Sequence, residues 1–415
     1  MYYEQQREMK MNTIASLIAF TTLIACYGGP RGFNALVPPM DPPGLSLNSN
    51  YTQSVSNQQL ADNCAQSISN GHPLPACEGS TFFPATSAGG LNKHIITDTE
   101  TVDPKSAAMI ADNFGVSGGP SDDTIGLLFH NGIGQRSYSY GRPLYLATNS
   151  DPLVTVHCNT FCGPFGYNIN VRVPALALPE GGTDEHLSVV QPGNILVEFW
   201  RWQTSPPYAN GSTANAGSMA LTEFDGSKYS SNDIQPGWMA NAVTAGGMVG
   251  SMGVITLAEL QARSIKHELY GAISCTAAKF YYPATQPARV CGDGRTAIPD
   301  GALMHYKPTC ADINANGALS TDEKTVDCAM HVYGVRISDD GICSPCSGGG
   351  LSVQVENQAS FWAYGSGSDP FVAYAIANGW NHIVNGGASP PIDRYGMEFT
   401  HSDYPANMEV MAAGQ

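Results

Sequence analysis

The sequence predicts a mostly β protein, an antiparallel β-sandwich of jelly-roll type with a few short helices. Three observations carry that expectation. Of the 415 residues, 42% are hydrophobic and only 13% charged, with 45 glycines and 28 prolines, so turns are frequent and long charged helices scarce. From residue 151 onward, short β-like runs alternate with Gly, Pro, Asn and Asp turns, the spacing of a sandwich. Helix signals are few, and each bounds a short segment.

The chain divides into three parts. After Lys10 an apolar run from Ile14 to Ile24 ends in Leu23-Ile24-Ala25-Cys26. It is too short to span a bilayer, and its basic flank and small-residue exit describe a secretory signal. The Leu-x-Ala-Cys ending resembles a bacterial lipoprotein box, in which Cys26 would be lipidated and would anchor the chain in place of a transmembrane span. Ordinary cleavage nearby is the alternative, and Met9 or Met11 are alternative starts. Residues 27–60, with Pro38-Pro39 and Pro42-Pro43, read as a flexible tether. Residues 61–415 read as one sandwich domain carrying an insertion at about 310–328.

Within that domain the elements follow in order. Strands are expected at Thr124 to Phe129, Leu153 to His157, Tyr167 to Val173, His186 to Val190 and Ile195 to Trp202. Thr256 and Glu259 form a capping box opening a short helix to Arg263. A strand from Lys266 to Ser274 precedes a helix from Thr321 to Tyr333 with Val326, Ala329, Met330 and Tyr333 on one face. Strands Val335 to Ser338 and Leu351 to Val355 follow. Asp369 as cap, Pro370 at the first position and Gly379 at the exit bound a last helix from Phe371 to Asn378.

The formal charge is −16, which opposes nucleic-acid binding because that needs a basic footprint. Setting Cys26 aside leaves ten of eleven cysteines, an even number in a chain read as exported. They fall in local pairs, Cys64/Cys77, Cys158/Cys162, Cys275/Cys291, Cys310/Cys328 and Cys343/Cys346, and local pairing is the simplest connectivity.

Residues Asp312 to Glu323 carry oxygen-bearing side chains in the ligand order of a helix-flanked calcium loop. Asp312, Asn314, Asn316, Ser320 and Glu323 supply side-chain oxygens, Ala318 a backbone carbonyl, and Gly317 the sharp turn. Calcium is therefore the expected cofactor, in a bracing role; a polar turn before a helix is the plainer alternative.

Three segments hold candidate chemistry. Asp184 and His186, two apart at a strand start, project from one face, where the carboxylate can orient the imidazole; a capped turn beside a histidine fits equally. In Val197 to Trp202, alternation puts Glu198, Trp200 and Trp202 on one face and Arg201 on the other. Two indoles flanking a carboxylate suit a sugar cleft, since pyranose faces are apolar and their rims carry hydroxyls; a buried core is the alternative. His267, beside Glu268, is a candidate base, ligand or buried structural donor, and His305 and Tyr333 are candidates to join it.

These segments, with Tyr282-Pro283-Ala284 and Tyr333-Gly334 leading to Asp339, resemble an uncharacterised group of exported bacterial proteins. The resemblance spans roughly residues 150 to 365 and matches Asp184, His186, His267, Pro283, Tyr333, Gly334 and Asp339. It departs at Glu185, where the group has glycine, and at Lys266, where aspartate would have polarised His267. It implies a β-sandwich at the cell exterior, often beside carbohydrate-active proteins.

The functional expectation is an exported carbohydrate-active protein, a surface lipoprotein or secreted, that cleaves glycosidic bonds of a polysaccharide. Asp184 and Glu198 are the acid/base candidates, His186 or His267 the base for an elimination, and Trp200, Trp202, Arg201 and Tyr333 the substrate-binding residues. The rival expectation is a non-catalytic glycan-binding or adhesive protein. A metal-dependent oxidase or hydrolase using His186, His267 and Glu198 is a third.

Overall fold

The sheets are built from fifteen strands among the described residues. A computed structural model describes residues 95–97, 100–114, 124–127, 141–161, 168–192, 195–223, 243–248, 250–292, 294–340, 351–364, 369–387, 392–400 and 404–413. The signal, tether and Cys26 readings, and Cys64, Cys77, Cys162, Cys343 and Cys346, lie outside these residues.

The strands are β1 (Thr124–Leu127), β2 (Leu144–Leu146), β3 (Leu153–Cys158), β4 (Asn168–Arg172), β5 (Leu187–Gln191), β6 (Ile195–Trp200), β7 (Thr213–Ala216), β8 (Ser218–Glu223), β9 (Leu269–Ile273), β10 (Leu303–Tyr306), β11 (Val335–Asp340), β12 (Leu351–Val353), β13 (Asn381–Asn385), β14 (Ile392–Thr400) and β15 (Met408–Val410). The helices are α1 (Ser106–Phe114), α2 (Leu257–Ala262), α3 (Cys310–Ala315), α4 (Thr321–Val332), α5 (Ala359–Tyr364), α6 (Pro370–Ala377) and α7 (Tyr404–Asn407). Three sheets result: an eight-stranded one ordered β13-β14-β1-β12-β9-β11-β10-β15, a four-stranded one ordered β2-β5-β6-β8, and a three-stranded one ordered β4-β3-β7.

The strand-rich class is as expected, but the sheets are mixed rather than antiparallel throughout. β1 runs parallel to β12, β9 to β11, β2 to β5 and β3 to β7. A parallel pair needs a crossover connection, and β9 reaches β11 only through β10, α3 and α4. Turn residues mark where a strand stops; they carry no information about which distant strand it joins.

The four-stranded sheet is buried on both faces, and this positions the site. Val189, Val197 and Phe199 share one cluster with Val154, Val156, Val171 and Ala214 of the three-stranded sheet. Leu196 and Ala220 point the other way, into a cluster with Val243, Met248, Val254 and Tyr270. Around the eight-stranded sheet, Val326 and Met330 of α4 and Phe371 of α6 pack with Leu269, Val335, Ile337 and Val353. Each such side chain contributes about 1.5–3 kcal/mol on burial.

The local helix signals hold. Thr256 and Glu259 form the capping box of α2, and Asp369 caps α6 with proline in its first turn. Disulfides join Cys275 to Cys291 and Cys310 to Cys328, with Cα atoms 5.1 and 4.9 Å apart, ordinary spacings for the bond. Among the described residues no helix is long and apolar enough to cross a membrane.

Candidate functional site

The site starts where β6 ends. Alternation along the strand sends Leu196, Glu198 and Trp200 to one side and Val197 and Phe199 to the other. Arg201 then takes a left-handed backbone with φ 53°, and the alternation breaks. Trp202 consequently turns back to the Phe199 side, where it is 1% exposed, donates its indole N–H to the Tyr208 hydroxyl at 2.9 Å, and packs 4.8 Å from the Phe199 ring. The expected shared face of Trp200 and Trp202 does not exist. Trp200 alone reaches the rim, with the Arg201 guanidinium 4.5 Å over its ring and Phe161 beside it at 5.5 Å.

Glu198 is also placed differently from the sequence expectation. It is 1% exposed, and its carboxylate accepts the N–H groups of Gly250 at 2.9 Å and Ser251 at 2.6 Å. These open the 3-10 turn Gly250–Gly253, whose free donors need an acceptor. The glutamate ties the four-stranded sheet to that turn and is sealed from solvent. Gly250 matters here because a Cβ on it would lie 2.7 Å from Arg142 Nε; the bare backbone leaves room for the guanidinium.

Asp184 and His186 do converge, though not by strand alternation. Both precede β5, and the left-handed Glu185 between them, with φ 46°, shapes the bend. The Gly181-Gly182 turn folds the chain back so that the Glu180 N–H donates to the His186 carbonyl at 2.9 Å. Glu180 thereby meets the imidazole: its Oε1 lies 3.0 Å from His186 Nδ1. His186 Nε2 lies 3.1 Å from the Val243 carbonyl. Side-chain atoms of Glu180, Asp184 and His186 all lie within 4.8 Å of one another. Trp200 Nε1–H donates to Asp184 Oδ1 at 3.1 Å and fixes that carboxylate's direction.

The segment 243–248 links this turn to the end of β11. Val243 accepts from His186, and the Ala245 N–H donates to Asp339 Oδ1 at 3.2 Å. The Gly246 N–H donates to the Ser338 carbonyl at 3.1 Å, and a Cβ there would lie 2.8 Å from that carbonyl oxygen. Arg142, itself 1% exposed, places its guanidinium 3.6 Å from Asp339 Oδ2. β9 and β11 run parallel, so Asp339 and Asp340 sit at the carboxyl ends of parallel strands, the edge where ligand sites of open sheets gather.

Burial dominates the electrostatics. It pushes Glu180 well above the usual carboxylate range, with the Asp184 charge adding to it, and holds His186 well below the usual imidazole range, with Arg142 adding to that. Burial raises Asp339 to about 8; Arg142 pulls against this, and Asp340 and Asp184 reinforce it. Asp340 rises to about 6 for the same first reason, with Asp300 next. A fifth of the Asp339 side chain is accessible; its Oδ1 accepts the N–H groups of Ala245 and Asp340, and its Oδ2 faces Arg142.

The remaining candidates lie elsewhere. His267 is 1% exposed, with Nδ1 2.8 Å from the Glu268 carbonyl and Nε2 3.0 Å from Glu259 Oε1 in the α2 capping network. Tyr333 is the C-cap of α4, and His305 pairs with Glu409 at 2.8 Å on β10 and β15.

Several calcium-loop donors are engaged in local hydrogen bonds. Asp312 and Asn314 lie inside α3, where residues two apart face away from each other. Asp312 Oδ2 accepts from Thr309 Oγ1 at 2.6 Å, Glu323 Oε2 accepts the Ser320 N–H at 2.5 Å, and Asn316 Oδ1 accepts the Ala318 N–H at 3.0 Å. Asp312 and Glu323 thus complete two capping boxes, which occupy one oxygen of each.

Glu180 and Arg142 were not singled out from sequence. The paired glycines after Glu180 were a usable signal, because a tight turn there pairs residue 180 with 186; nothing local points to Arg142. No family model, curated protein or solved structure matches this chain.

Proposed function

We propose that this is an exported carbohydrate-active protein that cleaves glycosidic bonds, with Asp339 and Asp184 as its working carboxyls. The observation that carries the reading is Asp339: a carboxyl raised to about 8, a fifth accessible, and sensing the charge of Asp184. Glycoside cleavage needs one carboxyl that keeps its proton near neutrality for the leaving oxygen. Asp339 is suited to that role. Asp184, partly exposed and oriented by Trp200, suits the attack on, or assistance of water at, the anomeric carbon. Arg142 fixes Asp339 in place, and Arg201 with Trp200 offers a rim for a sugar or its carboxylate. The facing three- and four-stranded sheets are read as a small sandwich supporting that rim. Export is supported by the disulfides among the described residues, by the signal-like N-terminus and by the resemblance to exported proteins.

The test is incubation of the full chain with a panel of neutral and acidic polysaccharides, reading new reducing ends and the ultraviolet absorbance of unsaturated uronates. Reducing ends without that absorbance, lost in Asp339→Asn and Asp184→Asn, are the expected result. Absorbance growth in the wild type would replace hydrolysis with elimination. One observation favours the rival binding reading: Phe161 is 57% exposed beside Trp200 and Arg201, an aromatic and cationic surface that could hold a glycan without cutting it. Retardation in a polysaccharide affinity gel with no new ends would select it.

A further inference from the structure

The structure assigns a divalent-cation site to Glu180, Asp184 and His186, for a first-row ion of the Zn2+ or Mn2+ kind. The first ground is hydrogen-bond accounting around the imidazole. Nε2 lies 3.1 Å from the Val243 carbonyl, which only accepts, so Nε2 carries the ring proton. In the neutral ring, Nδ1 then presents its lone pair to Glu180 Oε1 at 3.0 Å. Two acceptors at that distance require a positive centre between them, either a proton or a metal ion. An imidazole whose far N–H is held by a backbone carbonyl is the usual state of a metal-ligating histidine.

The second ground is independent of the first. Glu180 is 2% exposed, yet its Oε2, the oxygen that does not face His186 Nδ1, has no hydrogen-bond partner among the described residues and is free to join Oε1 in holding an ion through both oxygens. An unpartnered carboxylate oxygen in a sealed position is costly, and a bound cation removes that cost. The spacing also fits. Two metal bonds of about 2.1 Å at roughly 90–100° separate their ligand atoms by ~3.0–3.2 Å, which matches the 3.0 Å between Glu180 and His186. The third ligand lies within 4.8 Å of both; ligand atoms on one ion stand ~3.0–4.2 Å apart, so a side-chain shift of at most about 2 Å brings Asp184 into the first shell. Asp184 is partly exposed, which provides an entry from solvent and open positions for water. One nitrogen and two carboxylates select first-row ions over calcium, which takes six to eight oxygens.

This claim concerns binding and shares only Asp184 with the proposed cleavage site, so it is read by metal content, which polysaccharide cleavage does not report. The full chain is stripped with chelator, dialysed against Zn2+, Mn2+ or Ca2+ in turn, and its metal content measured. Substitution with Co2+ adds a visible spectrum that reports nitrogen and oxygen ligands. About one equivalent of Zn2+ or Mn2+ is expected, with no retained Ca2+. His186→Ala and Asp184→Asn should each weaken retention by ~10-fold or more, the scale on which even outer partners of a metal act. Asp184→Asn keeps an acceptor for Trp200 at the rim and serves as the folded variant if His186→Ala fails to fold. A wild type that retains neither Zn2+ nor Mn2+ would mean that a proton alone bridges the pair. Undiminished retention in Asp184→Asn, or in a folded His186→Ala, would place the ion elsewhere. Either outcome overturns the assignment.

Discussion

Replacing Glu198 separates a structural carboxylate from a catalytic one. The side chain holds two backbone donors, at 2.9 and 2.6 Å, inside a region that is 1% exposed. A hydrogen bond to a charged group contributes about 1.5–3 kcal/mol, and a buried donor left without a partner costs a comparable amount. Glu198→Ala therefore costs ~3–6 kcal/mol. Glu198→Gln keeps one acceptor oxygen and turns an amide against the other donor, so it costs ~1.5–3 kcal/mol. At about 2 °C of melting temperature per kcal/mol for a unit of this size, the glutamine variant melts ~3–6 °C lower and the alanine variant ~6–12 °C lower. Differential scanning fluorimetry with a circular-dichroism check of fold measures both. An unchanged melting temperature in Glu198→Gln, together with lost activity, would refute the structural role and restore the sequence-based assignment.

Other parts of the fold give further tests. Arg336 and Glu268 form a sealed bidentate pair at 2.6 and 2.7 Å; Arg336→Met alone should cost ~3–5 kcal/mol in chemical denaturation, and adding Glu268→Met should recover much of it. If the double variant were no more stable than the single, the buried-charge explanation would fail. Burial raises Glu356 to about 8 from 4.5, so its folded pKa lies above its unfolded one. Its contribution is then full below about pH 4.5 and falls by ~1.4 kcal/mol per unit as pH rises toward 8. Glu356→Gln keeps an acceptor for the Leu257 N–H at 3.0 Å and should melt above wild type at pH 8, with the gap closing toward pH 5; parallel melting curves across that range would contradict this. Asp312→Ala and Glu323→Ala should each cost ~0.5–2 kcal/mol as lost caps, with no response of melting temperature to added calcium. A calcium-dependent rise abolished by either change would reinstate the loop.

Local signals were legible and distant ones were not. The capping box of α2, the helix at α4, the proline-led start of α6 and the strand runs at β3 to β6 depend on neighbours in sequence, and each lies close to its expected place. The face of Trp202 was misjudged because one left-handed residue, Arg201, reverses alternation, and no rule of spacing forces arginine into that conformation. The calcium pattern has a second reading in the fold: Thr309-x-x-Asp312 and Ser320-x-x-Glu323 put oxygens at loop positions that two successive capping boxes also use. The site itself was half visible. Asp184 and His186 stood out in sequence, whereas Glu180 arrives through a turn and Arg142 through a buried path beneath Gly250.

In the proposed function chemistry resides at Asp339, near the end of β11, and at Asp184, just before β5, and not at Glu198. It is tested most directly by measuring polysaccharide cleavage and melting temperature together for Asp339→Asn and Glu198→Gln. Asp339→Asn is expected to be inactive and at least as stable as wild type, and Glu198→Gln to melt lower yet still cut at temperatures where it is folded. An active Asp339→Asn beside an inactive, fully stable Glu198→Gln would contradict it.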